Sequence, residues 1–267
     1  MQELTKLALL QENLQSFERV VVAFSGGVDS ALLARVAHDT LGPERCHVVT
    51  AASPSLAGQE RQEAGDLAAE WGLRWTTVDT DEMDSAAYRV NDANRCGHCK
   101  DALMDALDPL AKREKATVLL GVNVDDLGDH RPGQEVAAQR GARFPLVDAG
   151  LTKEMVRNIS KELGLRTWDK PAAACLASRL PYGTPVSVSV LSTVERAEAA
   201  LKELGFVDLR VRHYADTARL EISLKQLPDV LVQREEIVDA LHQVGYRYVT
   251  LDLEGIRSGN LNQALEG

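Results

Sequence analysis

Six residues, Ser25-Gly26-Gly27-Val28-Asp29-Ser30, constrain this chain more than any others. They follow an apolar run, Val20-Val21-Val22-Ala23-Phe24, and precede a helix-like segment over 31–41. A strand, a glycine turn and a helix in that order aim backbone N–H groups at one point, where an anion is stabilised. Two glycines let the main chain approach phosphate oxygens closely, and the two serines add hydroxyl donors. The plainer reading is a strand-to-helix turn with Ser30 as the N-cap. It leaves the co-occurrence of all six residues, directly after a buried-looking strand, to chance. The stretch is read as a phosphate-binding loop.

The first half of the chain repeats the strand-then-helix order. Residues 2–17 have helical apolar spacing, and Cys46-His47-Val48-Val49-Thr50-Ala51 reads as a second strand. A helix over 60–71 stops at Gly72, and a third strand spans 74–79. A helix over 99–113 then leads into Thr117-Val118-Leu119-Leu120-Gly121, another short apolar strand. The pattern predicts an α/β fold, a parallel sheet with helices on both faces. In such sheets ligands sit outside the carboxyl ends of the strands, where 25–30, Ala52-Ser53 and Val122-Asn123 would lie.

Residues 167–187 break the rhythm with Pro171, Pro181, Gly183 and Pro185. The expected domains are 1–183 and 184–267, the second a smaller α+β domain. There a helix (188–204), two strands (207–214 and 218–224), a helix (229–243) and a strand (246–253) follow in order. In the paired strands, period-two alternation puts Arg210, Arg212, Arg219 and Glu221 on one polar face. Taken alone this is a solvated sheet face; the functional alternative is an anion clamp, since forked guanidiniums suit phosphate or carboxylate.

Composition excludes several classes of function. With 30 basic and 40 acidic side chains the formal charge is −10, and aromatics make up 4%. Both speak against a nucleic-acid coat or a base-stacking platform. No apolar run is long enough to span a bilayer, and the start lacks a signal-peptide pattern, so the cytoplasm is the expected location. There the 4 cysteines are expected to act as ligands or reactive thiols, not as a disulfide frame.

Cys46 sits in a strand pattern and reads as a buried small apolar residue. Cys96-Gly97-His98-Cys99, followed by Lys100, is a C-x-x-C that alone fits metal ligation, redox work or coincidence. A four-cysteine zinc site would need a second close pair, which the chain lacks. Cys96, Cys99 and Cys175 could hold a [4Fe–4S] cluster with one iron open, with His98 ligation or zinc as the alternatives. Cys175 lies among small residues, and Arg179 nearby would favour its thiolate for attack on an activated acyl group. An inert loop cysteine is the equal alternative.

The loop at 25–30 differs from the Walker type, since no lysine follows its glycines. It resembles the Ser-Gly-Gly-x-Asp-Ser loop of the ATP pyrophosphatases, which break ATP between its α and β phosphates. Nearly end to end, the chain is similar to the LarE family of ATP-dependent sulfur transferases, which build the nickel-pincer nucleotide of lactate racemase. The resemblance rests on the loop, on Gly121-Val122-Asn123-Val124-Asp125-Asp126-Leu127-Gly128-Asp129-His130-Arg131-Pro132-Gly133 and on Cys175-Leu176-Ala177-Ser178-Arg179. It ends with Tyr248-Val249-Thr250-Leu251-Asp252-Leu253-Glu254-Gly255-Ile256-Arg257-Ser258-Gly259.

The resemblance implies a substrate, pyridinium-3,5-biscarboxylic acid mononucleotide, whose carboxylate is adenylated and then converted to a thiocarboxylate. ATP and Mg²⁺ are expected at Ser25, Gly26, Gly27, Asp29 and Ser30, with Ser53 and Asn123 at the neighbouring strand ends, and a homo-oligomer is the expected assembly. In family members with one cysteine at the position of Cys175, that residue surrenders its sulfur and becomes dehydroalanine. Cys96 and Cys99 place this chain nearer the branch whose three cysteines hold a [4Fe–4S] cluster. The family's phosphate or metal face maps onto Arg210, Arg212, Glu221 and Arg257, with Glu198 and Asp229 as further metal candidates. The rival expectations are a tRNA thiolase with the same loop, which would need a basic RNA face, and a non-catalytic iron–sulfur or nucleotide-binding protein.

Overall fold

The computed structural model describes residues 2–128, 132–171, 175–257 and 260–261. Asp129-His130-Arg131, Ala172-Ala173-Ala174 and Ser258-Gly259, parts of the stretches quoted above, lie outside the described residues. The chain forms two compact units: Met1–Glu82 with Cys96–Ala173, and Met83–Arg95 with Ala174–Gly267. The division thus falls ten residues before 183/184, and a short earlier segment joins the second unit. Hydrogen bonds account for that. The Asn91 amide donates to the Pro181 and Thr184 carbonyls at 2.8 and 2.9 Å, and Arg95 Nη1 to the Ala177 carbonyl at 2.8 Å.

In the first unit, α1 (Gln2–Gln15) precedes β1 (Val20–Ala23) and α2 (Val28–Leu41). Then come β2 (Cys46–Ala52), α3 (Gly58–Glu70) and β3 (Trp75–Asp79). The short α4 (Ala86–Val90) belongs to the second unit. It is followed by α5 (Arg95–Glu114), β4 (Thr117–Leu120), α6 (Pro132–Gln139), α7 (Pro145–Asp148) and α8 (Lys153–Glu162). The four strands are all parallel, in the order β3-β2-β1-β4. Among the described residues no helix is long and apolar enough to cross a membrane.

β1 shows why the strands read as unbroken apolar runs. Val20 and Val22 pack into one core with Leu32 and Leu33 of α2, while Val21 packs on the other face with Met104 and Leu107 of α5. Successive side chains of a strand point to opposite faces, so a sheet covered on both faces has no polar side to alternate with. Each fully buried leucine or valine contributes roughly 1.5–3 kcal/mol relative to exposure.

The second unit continues with α9 (Val188–Glu203), β5 (Leu209–Tyr214), β6 (Thr217–Ile222), α10 (Leu227–Val232), α11 (Arg234–Val244) and β7 (Tyr248–Leu251). β5 and β6 pair antiparallel, with Arg210 opposite Glu221 and Arg212 opposite Arg219, and β7 pairs parallel to β6. Leu209, Val211, Leu220 and Ile222 pack with Ala197 and Leu201 of α9 and Ile237 and Leu241 of α11.

The alternation is as expected, but the other face is not solvated: Arg212 and Glu221 are 3% and 0% exposed. A main-chain carbonyl at Ser178 and the side chain of Asn260 cover them. Two helix boundaries also differ from the sequence reading. The helix expected over 229–243 is two, parted at Gln233, whose ψ of 24° departs from helical geometry. α5 begins at Arg95, so the C-x-x-C lies inside its first turns.

The close approach of β4 to α2 depends on Gly121. A Cβ there would stand 2.7 Å from the Ser30 amide nitrogen and 2.9 Å from the Asp29 carbonyl carbon. Both are backbone atoms that cannot swing aside. Gly121→Ala is expected to destabilise the protein by about 1–3 kcal/mol, read as a lowered urea midpoint with an unchanged slope.

Candidate functional site

The order β3-β2-β1-β4 reverses direction at β1, so the crevice between the β1 and β4 carboxyl ends is the switch point where open α/β sheets bind ligands. The loop at 25–30 stands there. Gly26 adopts φ +72°, a left-handed conformation that glycine reaches without strain. Gly27, not Ser30, is the N-cap of α2, and no side chain caps that helix.

The two hydroxyls tie the loop together. Ser25 and Ser30 Oγ lie 3.1 Å apart, Ser30 Oγ donates to the Gly27 carbonyl at 3.1 Å and accepts the Ser25 N–H at 3.2 Å. The first N–H groups of α2 therefore form an anion-binding terminus with a braced shape.

Two lysines distant in sequence serve this loop, and sequence reasoning missed both. Lys153, the first residue of α8, pairs its ammonium with Asp29 Oδ2. Asn123 Nδ2 donates to Asp29 Oδ1 at 3.0 Å, while its own Oδ1 accepts the Asp125 and Asp126 N–H groups at 2.9 and 3.2 Å. The expected loop residue Asp29 and the expected β4-end residue Asn123 thus meet across the crevice. The second lysine, Lys170, contacts the Gly26 carbonyl at 3.3 Å and Glu60 and Glu63 of α3 at 2.7 and 2.8 Å. Because a trans peptide is planar, holding the Gly26 carbonyl on one side turns the Gly27 N–H to the other. No local pattern marks either lysine; each is a charge brought in by tertiary packing.

Ser53 lies at the carboxyl end of β2, where its hydroxyl donates to Glu82 Oε1. Cys96 and Cys99 sit three apart in the first turns of α5, so their thiols share one helix face. Cys96 is exposed and Cys99 half-buried. Cys46 is buried, and burial pushes its thiol up to about 12. Cys175, in the second unit, is exposed. Arg179 reaches Cys175 at its carbonyl oxygen, 3.4 Å away, and spends its fork on Glu198 at 2.8 and 3.1 Å.

The second unit gathers arginines. Arg212 grips Glu221 with Nε and Nη2 at 2.9 and 2.7 Å, and Arg219 and Asn260 also donate to that carboxylate. Arg210 donates to the Arg257 carbonyl at 2.9 Å, and Arg257 to Glu254 at 2.7 Å and Asn260 at 3.0 Å. Five guanidiniums (Arg179, Arg210, Arg212, Arg219 and Arg257) outnumber Glu198, Glu221, Asp252 and the exposed Glu254.

The surplus has physical signs. Burial, then repulsion from Arg212 and Arg179, lowers the Arg210 pKa, and Arg219 Nε and Arg257 Nε are buried without a hydrogen-bond acceptor among the described residues. The cluster, though not the unit as a whole, is short of negative charge, as an anion site would be. The expected metal trio of Glu198, Glu221 and Asp229 is not assembled. Arginines already neutralise the two glutamates, and Asp229 is exposed on α10. Among the described residues, no three His, Cys, Asp or Glu side chains stand together as a metal-binding set.

Comparison with known proteins adds a second line of support. The family model for NAD synthase matches residues 4–113. The chain is 43% identical to an uncharacterised protein of Synechocystis sp., the alignment covering 98% of each. It is 37% identical to the pyridinium-3,5-bisthiocarboxylic acid mononucleotide synthase of Lactiplantibacillus plantarum, over 98% of this chain and 95% of that protein. It is also 26% identical to an uncharacterised protein of Methanocaldococcus jannaschii, over 96% of this chain and 98% of that one.

Glu221 allows a test of the arginine cluster. Burial opposes its charge, but the hydrogen bonds and charge of Arg212, helped by Asn260 and Arg219, outweigh that and hold its pKa below the usual range. A carboxyl depressed in the folded state stabilises fully above its unfolded pKa and loses that contribution as pH falls through its folded one. Glu221→Gln, which leaves Arg212 unpaired, is expected to cost about 3 kcal/mol at neutral pH. In urea titrations the gap to wild type should persist down to about pH 5 and shrink as pH falls below the ordinary glutamate value of about 4.3.

Proposed function

This chain belongs to the LarE family of pyridinium-3,5-bisthiocarboxylic acid mononucleotide synthases, and we propose that it is an ATP-dependent sulfur transferase acting on pyridinium-3,5-biscarboxylic acid mononucleotide in nickel-pincer nucleotide synthesis. The observation that carries the reading is the uncapped α2 terminus with Asp29 held between Asn123 and Lys153. It offers donors and a cation where a pyrophosphate would leave.

A carboxylate is a poor electrophile until one of its oxygens can depart. In the first step a substrate carboxylate oxygen attacks the α-phosphorus of ATP, and the bond to the β-phosphate bridging oxygen breaks. Pyrophosphate leaves with that electron pair. Ser25, Gly26, Gly27 and Ser30 hold its oxygens, and Lys153 and the α2 terminus stabilise the accumulating charge. Asp29 orients the loop or Mg²⁺, whose contribution is further charge neutralisation. Asn123 and Ser53 line the strand ends on either side of β1. The cationic face of Arg210, Arg212 and Arg257 takes the substrate phosphate, supported by the two guanidinium N–H groups that lack acceptors.

In the second step a sulfur nucleophile attacks the acyl carbon, and the carbon–oxygen bond to AMP breaks. Cys96, Cys99 and Cys175, none of them in a disulfide, are the residues that would hold a [4Fe–4S] cluster, and Cys96 and Cys99 share one helix face. Such a cluster, when bound, would supply the sulfur nucleophile. In the alternative, Cys175 itself forms the thioester. Loss of its Cα proton and cleavage of its Cβ–S bond then leave the thiocarboxylate and a dehydroalanine.

Pyrophosphate release that requires both ATP and the pyridinium dicarboxylate tests the assignment; release without the substrate, or none at all, would sink it. Lys153→Met is expected to slow that release at least tenfold, about 1.4 kcal/mol of barrier. Protein purified without oxygen should contain iron and sulfide that disappear in Cys96→Ser, Cys99→Ser and Cys175→Ser. Iron-free protein whose intact mass drops by one sulfur on turnover would establish the sacrificial route instead.

A further inference from the structure

β2 and β3 end side by side, with Ala52 paired to Asp79. Just beyond that pair lies a group of polar side chains. Glu82 is 1% exposed and Ser55 2%. Glu82 Oε1 accepts from Ser53 Oγ, which also shares a 2.6 Å hydrogen bond with Ser55 Oγ and accepts the Ser55 N–H at 3.0 Å. These contacts spend the serines. They leave Glu82 Oε2 and Thr80 Oγ1, two residues apart, buried without a hydrogen-bond partner among the described residues. Glu82 also makes no ion pair among the described residues.

A carboxyl oxygen taken out of water and given no donor is costly to keep. Such a group marks a place where a partner outside the chain completes the bonding. The half-buried Ser53 and Thr80 keep the cluster open to a ligand from the strand ends. Position says which ligand. Neighbouring strands are about 4.8 Å apart, so the β3 end lies about 10 Å across the sheet from the β1 loop. A nucleotide with its phosphates on that loop would lay its adenosine half over the ends of β2 and β3.

We propose that Glu82, with Thr80 beside it, is a specificity site for the adenosine half of ATP, its free oxygen accepting from a neutral donor on that moiety. The shared chemistry is one N–H or O–H donor: the exocyclic amine of adenine or the ribose 2′-hydroxyl. The inference rests on the ATP-using reading above and adds how that site selects its nucleotide.

Calorimetric binding of ATP, ITP and 2′-deoxyATP to the full-length protein, alongside pyrophosphate release, tests it. ITP lacks the amine and 2′-deoxyATP lacks one hydroxyl. Wild type should bind ATP about 10- to 100-fold more tightly than one of the two, the worth of a hydrogen bond to a charged group. Loss against ITP identifies the amine, and loss against 2′-deoxyATP the ribose. Glu82→Ala should erase that preference. Should this variant fail to fold, Glu82→Gln, which keeps the volume and gains donors, should relax discrimination by about tenfold, most clearly towards ITP if the amine is read. Equal binding of all three nucleotides by wild type, as expected of a site that holds only water, would overturn the proposal. So would a preference unchanged in a folded Glu82 variant. Nucleotide binding without pyrophosphate release would count against the sulfur-transferase reading alone, and no ATP binding against both.

Discussion

The first unit depends on one carboxylate. Asp29 belongs to the loop after β1, yet its two oxygens are taken by Asn123, beyond β4, and Lys153, at the start of α8. One side chain thus joins both edges of the switch-point crevice to a helix that arrives much later in the chain. The backbone geometry that makes the loop an anion receptor is held by these contacts and by the carbonyl grip of Lys170, as well as by local glycine chemistry. The arrangement resembles a P-loop whose lysine has been relocated: the cation is supplied by tertiary structure instead of the next residue in the loop.

The second unit poses the inverse electrostatic problem. Burying an ion pair is close to neutral at best, because desolvation offsets most of the attraction. Crowding more guanidiniums than carboxylates together is worse, and at Arg210 the charges of Glu221 and Glu198 offset only part of the burial and of the repulsion from Arg212 and Arg179. An external anion would relieve it. Asn260 belongs to the same logic: it hydrogen-bonds both Glu221 and Arg257, holding the carboxylate and one of the cations in place together.

Much of this was legible in the chain, for identifiable reasons. β1, β2 and β4 announced themselves because both faces are covered, leaving unbroken valine and leucine runs. The 25–30 loop was legible because its chemistry is local, and Arg210, Arg212 and Glu221 fell on one face by period alone. What escaped depends on packing. Lys153 and Lys170 act more than a hundred residues from their partners, and nothing near them in sequence signals the contact. Alternation could not reveal that the arginine face is covered, since the covering Asn260 and Ser178 come from outside both strands. The start of α5 was placed late because Cys-Gly-His-Cys has weak helix propensity, which tertiary context overrode.

Cys46 bears on a different problem. A protein that handles activated acyl groups and transferable sulfur exposes its own thiols to acylation, persulfide formation and exchange. Three of its cysteines are accessible; the fourth is sealed in β2 with its thiol pushed up to about 12. At neutral pH its thiolate fraction is on the order of one in 10⁵, which leaves it inert to electrophiles that would capture an exposed cysteine. The sheet that presents the nucleotide loop thus also serves as a protecting group, giving the chain chemoselectivity among its own sulfurs.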